Sequence, residues 1–319
     1  MRLIRRNFVF TGTPSVPSCH ASTLLKTARG ELICACFAGT QEKDNDVRIW
    51  YTVCKNGEWG APMQIPSEQN IPHWNPVLYE MRDGTICLFY KIGYTIPEWK
   101  TMLVTFDRDL HPSEPRELIA GDISGGRGPV KNKPIALSDG SVLAPASTEQ
   151  GAWLPFVDRL DGGAWQKCRI PSEDGVGLIQ PTLWESARGH VHALMRSDRG
   201  RIYRSDSADF GKTWGMAYPT EMPNNNSGID CVRTDDGTLV LVCNPIDVNW
   251  GVRTPLTVFV SKDNGNHFRE ALCLENEAGE YSYPAVICDA NTLYISYTRK
   301  REAIVCCEIE LENREEKIR

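Results

Sequence analysis

One short pattern recurs six times along the chain: a turn dipeptide, usually ending in glycine, that runs straight into an apolar stretch. The copies are Arg29-Gly30, Asp83-Gly84, Asp139-Gly140, Arg188-Gly189, Asp236-Gly237 and Ala290-Asn291, spaced 54, 56, 49, 48 and 54 residues apart. Each reads as a tight hairpin turn feeding a buried strand such as Leu239-Val240. A propeller blade of four short strands takes about 40–50 residues. Six copies therefore predict an all-β fold, a six-bladed β-propeller with four-stranded blades, as a single domain over residues 1–319. Radial repetition lets one such domain outgrow the roughly 150 residues of an ordinary one. The N-terminal strand, Leu3 to Phe10, is expected to lie beside Ile304 to Ile309 and close the ring, removing an exposed sheet edge. The charged stretch from Glu312 to Arg319 reads as a solvated end. No helix of useful length is expected.

A second repeat is interleaved with the first. Ser207-Ala208-Asp209-Phe210-Gly211-Lys212-Thr213-Trp214 matches the Asp-box pattern Ser-x-Asp-x-Gly-x-Thr-Trp at every fixed position. Ser261-Lys262-Asp263-Asn264-Gly265-Asn266-His267-Phe268 keeps the Ser, Asp, Gly and an aromatic, and Asp161 to Trp165 and Asn56 to Trp59 look like eroded copies. In such a box the aspartate caps backbone N–H groups of a tight turn, the glycine supplies a positive φ, and the aromatic packs between blades. Asp209 and Asp263 are thus structural, placed on outer turns away from any active site.

The formal net charge of −6 argues against nucleic acid or an anionic membrane as a general partner. Nothing approaches the ~18 apolar residues of a membrane-spanning helix, and the basic N-terminus lacks the apolar run of a signal peptide. Of the 12 cysteines, Cys34, Cys36, Cys87, Cys243 and Cys288 sit inside apolar, strand-like runs. They read as reduced core thiols, and the expected location is cytoplasmic. Neither a Cys-x-x-Cys pair nor a Cys/His ladder at zinc spacing is visible, so no metal and no cofactor is expected.

Functional groups of a propeller come from inner strands and from the loops at one end of its channel. Polar clusters beside small residues or prolines recur once or twice per blade. Examples are Cys19-His20-Ala21, Trp74-Asn75-Pro76, Lys131-Asn132-Lys133, Thr148-Glu149, Ile179-Gln180-Pro181, Asn225-Asn226-Ser227 and Ser282-Tyr283-Pro284. Together they suggest a ring of inward-pointing groups. Arg196 and Arg253, with Arg127, Lys131 and Lys133 as further candidates, would form a cationic pocket in an acidic protein. Guanidinium forks pair bidentately with carboxylates, which points to an anionic sugar. Asn75, Glu149 and Tyr283 complete the candidate binding set, and Trp74, Trp153 and Trp250 are either sugar-stacking walls or inter-blade packing.

Along nearly its whole length the chain resembles the sialidases, a family that clamps a sugar carboxylate with three arginines. Those enzymes use a tyrosine nucleophile with a glutamate partner and an aspartate as acid/base. The resemblance implies that Arg196, in Met195-Arg196-Ser197 ahead of the intact box, and Arg253, leading into the second, are two of the arginines. It implies Tyr281 as the nucleophile and Asp46, or in its place Asp44, as the acid/base. The chain departs from the family twice: His20 stands where the first arginine is expected, and Gln180, 16 positions before Arg196, stands where the glutamate is expected. A glutamine cannot take a proton from tyrosine, though Glu149 or Glu185 is a possible substitute.

Three functions remain open on these residues. The leading one is a sialidase-like exo-glycosidase removing a terminal acidic sugar from an oligosaccharide or glycoside, with Asp46, Tyr281, His20 and Gln180 at the reacting centre. The second is a uronate-specific lyase using a His/Tyr pair, since neutralising a carboxylate acidifies the neighbouring C–H. The third is a carbohydrate-binding propeller without catalysis.

Overall fold

The structure, a computed structural model, describes residues 1–67 and 70–311. The segment 312–319, read above as a solvated end, lies outside the described residues. Six antiparallel sheets succeed one another along the chain. Their inner strands are Ser18–Lys26, His73–Glu80, Ile135–Ala136, Leu178–Ala187, Asp230–Arg233 and Tyr281–Asp289. Each blade has four strands, the outer strand of the first being split into Glu58–Trp59 and Met63–Gln64. Among the described residues the only helical element is the 3-10 turn Ile96–Glu98.

The ring closes as its repeat requires. Arg2–Thr11 pairs antiparallel with Ala303–Glu310, so the last blade takes its fourth strand from the start of the chain. Every repeated turn joins a first strand to a second. Gly84 shows the reason for the glycine: its φ is +83°, a conformation side chains disfavour. In the sixth copy the left-handed residue is Ala290, at +49°, rather than Asn291.

Hydrophobic burial is distributed over seams between neighbouring blades rather than collected in one core. Ile33, Phe37 and Tyr51 of the first blade meet Leu88 and Val104 of the second. Val242 and Val258 of the fifth meet Tyr281, Ile295 and Val305 of the sixth. Cys19, Cys34, Cys36 and Cys306 fill the seam between last and first blades, where free thiols act as small hydrophobes.

The Asp boxes lie on turns between third and fourth strands. Asp209 Oδ1 accepts from the Thr213 N–H (2.9 Å), and Trp214 packs into the seam between the third and fourth blades. Asp263 repeats the cap with the His267 N–H (3.0 Å). These turns are at the end of the blades opposite to the starts of the inner strands. The latter end is termed the mouth below.

Candidate active site

Near the start of each inner strand one non-glycine residue adopts a left-handed backbone: Ala21, Asn75, Lys131, Gln180, Asn226 and Tyr283, with φ between +43° and +65°. In four blades this step coincides with a break in strand register, at His20/Thr23, Trp74/Val77, Ile179/Thr182 and Ser282/Ala285. Each such residue costs on the order of 1–3 kcal/mol and persists only where its surroundings impose it. A break of this kind re-aims a side chain that strand alternation would send elsewhere. Six of them, one per blade, build a ring about the channel axis.

Arg196, 3% exposed, is the hub of that ring. Its Nε donates to Asn226 Oδ1 (2.9 Å), and its Nη1 donates to Tyr283 Oη (2.9 Å) and Gln180 Oε1 (3.2 Å). Asn226 is held in turn by Asn249 Oδ1 (3.0 Å). The Arg196 guanidinium stands 5.8 Å from the Tyr283 ring centre, and that of Arg253 stands 5.6 Å from the same ring. Arg253 Nη1 donates to Glu280 (2.7 Å), which also accepts from Arg301 Nε (3.2 Å). Arg301 Nη1 reaches Glu42 of the first blade (2.5 Å). Against the upward push of burial, Arg253 and Arg301 hold the Glu280 carboxyl below its usual range. Among the described residues, Nη2 of Arg196, Nε and Nη2 of Arg253, and Nη2 of Arg301 have no hydrogen-bond partner. Three guanidiniums thus offer spare donors at the mouth, the arrangement that a carboxylate ligand satisfies.

His20 packs on the Tyr283 ring with centroids 4.3 Å apart. Its burial, and then the charges of Arg301, Arg253, Arg196 and Lys131, push its pKa well below the ordinary histidine value, so the ring is neutral near pH 7. Its Nδ1 is buried without a hydrogen-bond partner. Glu149 lies in the third blade, opposite Trp153 across the hairpin of its second and third strands. Burial raises its carboxyl pKa, and the nearby Arg196 opposes that rise.

Several expected residues fall elsewhere. Tyr281 is 0% exposed in the seam between the fifth and sixth blades, so Tyr283 is the tyrosine at the mouth. In a regular strand residues two apart share a face, but the left-handed step at Tyr283 separates the pair. Asp46 is exposed, and its Oδ2 caps its own loop by accepting from Thr40 N (2.9 Å) and Oγ1 (2.8 Å). Asp44 is likewise exposed in that loop. Lys131 spends its ammonium on the carbonyls of Ile229 and Pro284 (both 2.6 Å) and on Asn132 Oδ1 (2.8 Å), spanning the channel. Lys133 is paired with buried Asp230 (2.9 Å), and Arg127 with buried Asp158 (2.6 Å). Glu185 caps Ser138 and Gly189, and Trp74 packs between the second and third blades. Asn75 keeps its place in the left-handed ring, buried in the second blade.

Two groups were not anticipated. Arg301 enters from the turn between the second and third strands of the sixth blade, where Lys300 and Arg301 both have positive φ without an Asn-Gly signal. Asn249 enters from a long fifth-blade loop. Arg301 has the strongest charge effect on His20, so a cation from the neighbouring blade stands beside the position where the first arginine was expected. Among the described residues no group of three or more His, Cys, Asp or Glu is placed to hold a metal ion.

Residues 30–295 match the BNR repeat-like domain family. The chain belongs to this family. No curated protein matches it in sequence. Its fold is similar to that of a Dyadobacter fermentans protein of unknown function, with a TM-score of 0.78 at 16% identity, covering 98% of this chain and 99% of that one. It is also similar to Trypanosoma rangeli sialidase in complex with the inhibitor DANA (TM-score 0.72, 12% identity), covering 95% of this BNR chain and 59% of the sialidase. Streptococcus pneumoniae NanB sialidase gives a TM-score of 0.65 at 12% identity, with coverages of 96% and 70%. The propeller of the BNR chain is therefore the sialidase fold.

Proposed function

We propose that this chain is an exo-acting glycosidase that removes a terminal acidic sugar from a glycan. One observation carries the reading: Tyr283 lies at the mouth between two arginines, at 5.6 and 5.8 Å, whose spare N–H donors suit a sugar carboxylate. The sugar's carboxylate pairs with Arg253 and Arg196, with Arg301 beside them. Tyr283 Oη, already accepting from Arg196, bonds to the anomeric carbon as the glycosidic C–O bond breaks. Its own proton passes to neutral His20. Glu149, its pKa raised by burial, protonates the leaving oxygen. Water then gives a proton to the Glu149 carboxylate and bonds to the anomeric carbon as the sugar–tyrosine bond breaks, and Tyr283 regains its proton from His20. Asp46 and Tyr281 have no part in this scheme.

A specific observation favours a second reading, elimination from a uronate. The base beside Tyr283 is a neutral histidine, and Gln180 occupies the position expected to hold a carboxylate. With the substrate carboxylate neutralised, His20 takes the proton from the carbon beside it. The C–O bond to the leaving sugar breaks, and Tyr283 returns a proton to that oxygen. The product carries a C=C bond and absorbs in the near ultraviolet.

Incubation with fluorogenic sialosides and uronate-capped oligosaccharides, following released sugar and near-ultraviolet absorbance, tests both. Hydrolysis predicts released sugar without absorbance, lost in Tyr283→Phe and Arg253→Ala. Full turnover by both variants would sink the proposal, whereas rising absorbance would replace hydrolysis by elimination.

A further inference from the structure

At the end of the propeller opposite the mouth, the fourth blade holds a polar relay that the sugar site does not use. Ser186, His192 and Asp206 stand on its first, second and third strands. Ser186 Oγ lies 2.7 Å from His192 Nε2, and His192 Nδ1 lies 2.5 Å from Asp206 Oδ1. Register places His192 directly opposite both Trp184 and Asp206, so the three share one face of the sheet. Ser186 comes two residues after Trp184, inside the register break between Glu185 and Ala187, and that break aims its hydroxyl at the imidazole.

Each partner is fixed from behind. Asp206 accepts at Oδ1 from Arg204 Nε (2.9 Å) and at Oδ2 from the Tyr218 hydroxyl (2.8 Å). Against the upward push of burial, its bonds from His192, Tyr218 and Arg204 bring the carboxyl down to about 2, so it is ionised at neutral pH. A carboxylate only accepts, so Nδ1 carries the proton and Nε2 is left to accept from Ser186. Arg204 Nη2 stands 3.1 Å from Nδ1 without displacing that proton, since the carboxylate lies closer. The Asn264 amide agrees with this tautomer: its Oδ1 accepts from Trp184 Nε1 (2.8 Å), which leaves Nδ2 to donate to Nε2 (3.1 Å). His192 is buried, with the Trp184 ring stacked on it at 5.0 Å, whereas Ser186 is half-buried beside exposed Ala187 and Arg188.

The fold does not call for these residues. The third pair after the break near the start of the inner strand is Trp184–His192 in the fourth blade. It is Leu25–Ile33 in the first and Tyr79–Cys87 in the second. In the first Asp box the residue matching Asn264 is Phe210, at the same φ of +61°. A histidine with a serine on one nitrogen and an aspartate on the other is the arrangement that makes a serine hydroxyl nucleophilic, on whatever fold it occurs.

We propose that Ser186, His192 and Asp206 form a second active site, which hydrolyses small carboxylic esters of the acetyl class. Ser186 Oγ bonds to the carbonyl carbon while its proton passes to His192 Nε2, and Asp206 holds the resulting imidazolium. Once protonated, Nε2 no longer accepts from Asn264, whose N–H is freed to meet the carbonyl oxygen as it becomes negative. The C–O bond to the alcohol then breaks, and the leaving oxygen takes the proton from Nε2. Water attacks the acyl-serine, giving a proton to His192, and the acid leaves as that proton returns to Ser186 Oγ. A single side-chain donor for the oxyanion suits an ester, whose alcohol leaves more readily than an amine. The half-burial of Ser186 limits the acyl group to a small one.

The test measures p-nitrophenyl acetate turnover by the full chain, together with labelling by a fluorophosphonate, which bonds covalently to an activated serine. Peptide mass analysis is expected to find the label on Ser186. Ser186→Ala should lose the label and at least about 100-fold in kcat/KM. Ser15→Ala, at another exposed serine, is the control and should change neither. Asp206→Asn should lower kcat at least about tenfold with KM near its original value, because an amide does not hold the Nδ1 proton as an anion does. Circular dichroism verifies that the variants keep the fold. A label found only on other residues, or full turnover by Ser186→Ala, overturns the proposal and leaves the sugar site at the other end of the propeller unaffected.

Discussion

Gly228 offers a sharp test of how the reactive tyrosine is held. The glycine lies in the connection between the fourth and fifth blades. A Cβ built there would be 2.9 Å from Lys131 Cε and 3.2 and 3.3 Å from Cγ and Cδ2 of Tyr283. Carbon atoms settle at about 3.5–4.0 Å, so Gly228→Ala must displace its neighbours by several tenths of an ångström. Lys131 cannot retreat freely, because its ammonium is fixed to two carbonyls and Asn132. Tyr283 is backed by His20. Overpacking of this kind costs about 1–3 kcal/mol. With an unfolding entropy of about 2.1 cal/mol/K per residue, a chain of 319 residues loses about 1.5–4.5 °C in Tm. Displacement by about 1 Å can cost ~100-fold in rate, so a shift of several tenths predicts a roughly tenfold fall in turnover. Scanning calorimetry and initial rates on the active substrate measure the two effects. Gly60→Ala, whose Cβ meets only Val53 O at an ordinary 3.4 Å, is the control and should change neither. If Gly228→Ala matched the control in both Tm and rate, the proposed packing of Tyr283 against Lys131 would be wrong.

Other perturbations address the clamp and the scaffold. Arg253→Ala removes charge-assisted contacts of about 1.5–3 kcal/mol each, so an acidic monosaccharide should bind roughly 10- to 150-fold more weakly by calorimetry. Equal affinity would dissociate Arg253 from the ligand. Asp230→Ala strands Lys133 Nζ, Thr182 Oγ1 and the Val286 N–H, which its carboxylate now satisfies, and should cost about 3–5 kcal/mol in urea unfolding. A loss below about 1 kcal/mol would show that the charge is compensated elsewhere. Burial, aided by Arg48, pushes the pKa of His73 down to about 3, below an unfolded value near 6.5. The unfolded chain therefore takes up that proton first as pH falls. Stability present above pH 6.5 is lost toward pH 3, by about 2 kcal/mol at about pH 5. His73→Phe, which keeps a ring against Tyr90, should reduce that acid-side loss relative to about pH 8. An unchanged loss would place its origin elsewhere, as at His20, which acts in the same direction.

The ring of blades, its closure and the Asp-box turns were readable because each rests on short-range rules. A turn that needs positive φ selects glycine wherever it occurs, so Gly30, Gly84, Gly140, Gly189 and Gly237 carry the period. An Asp two residues after Ser caps the same turn each time. Arg196 and Arg253 could be picked out because each precedes one of those boxes, where the resemblance to the sialidases implies an arginine. The choice between Tyr281 and Tyr283 was not readable. It depends on one left-handed residue that breaks strand alternation, and alternation was all that the sequence offered.

What the sequence by itself determined, then, is a closed six-bladed propeller with polar groups gathered where its inner strands begin. Local turn geometry and hydrophobic alternation are encoded within a few residues of where they act. Only the tertiary structure decided which of those groups form the site. Lys131 and Lys133 lie in the chosen region, yet their charges are consumed by Pro284, Ile229 and Asp230, more than 90 positions away in the chain. Arg301, without a motif around it, arrives beside His20 because closing the ring brings the last blade against the first. Whether a charge is free for a ligand depends on partners that meet only across blades, and no local pattern of residues records that pairing.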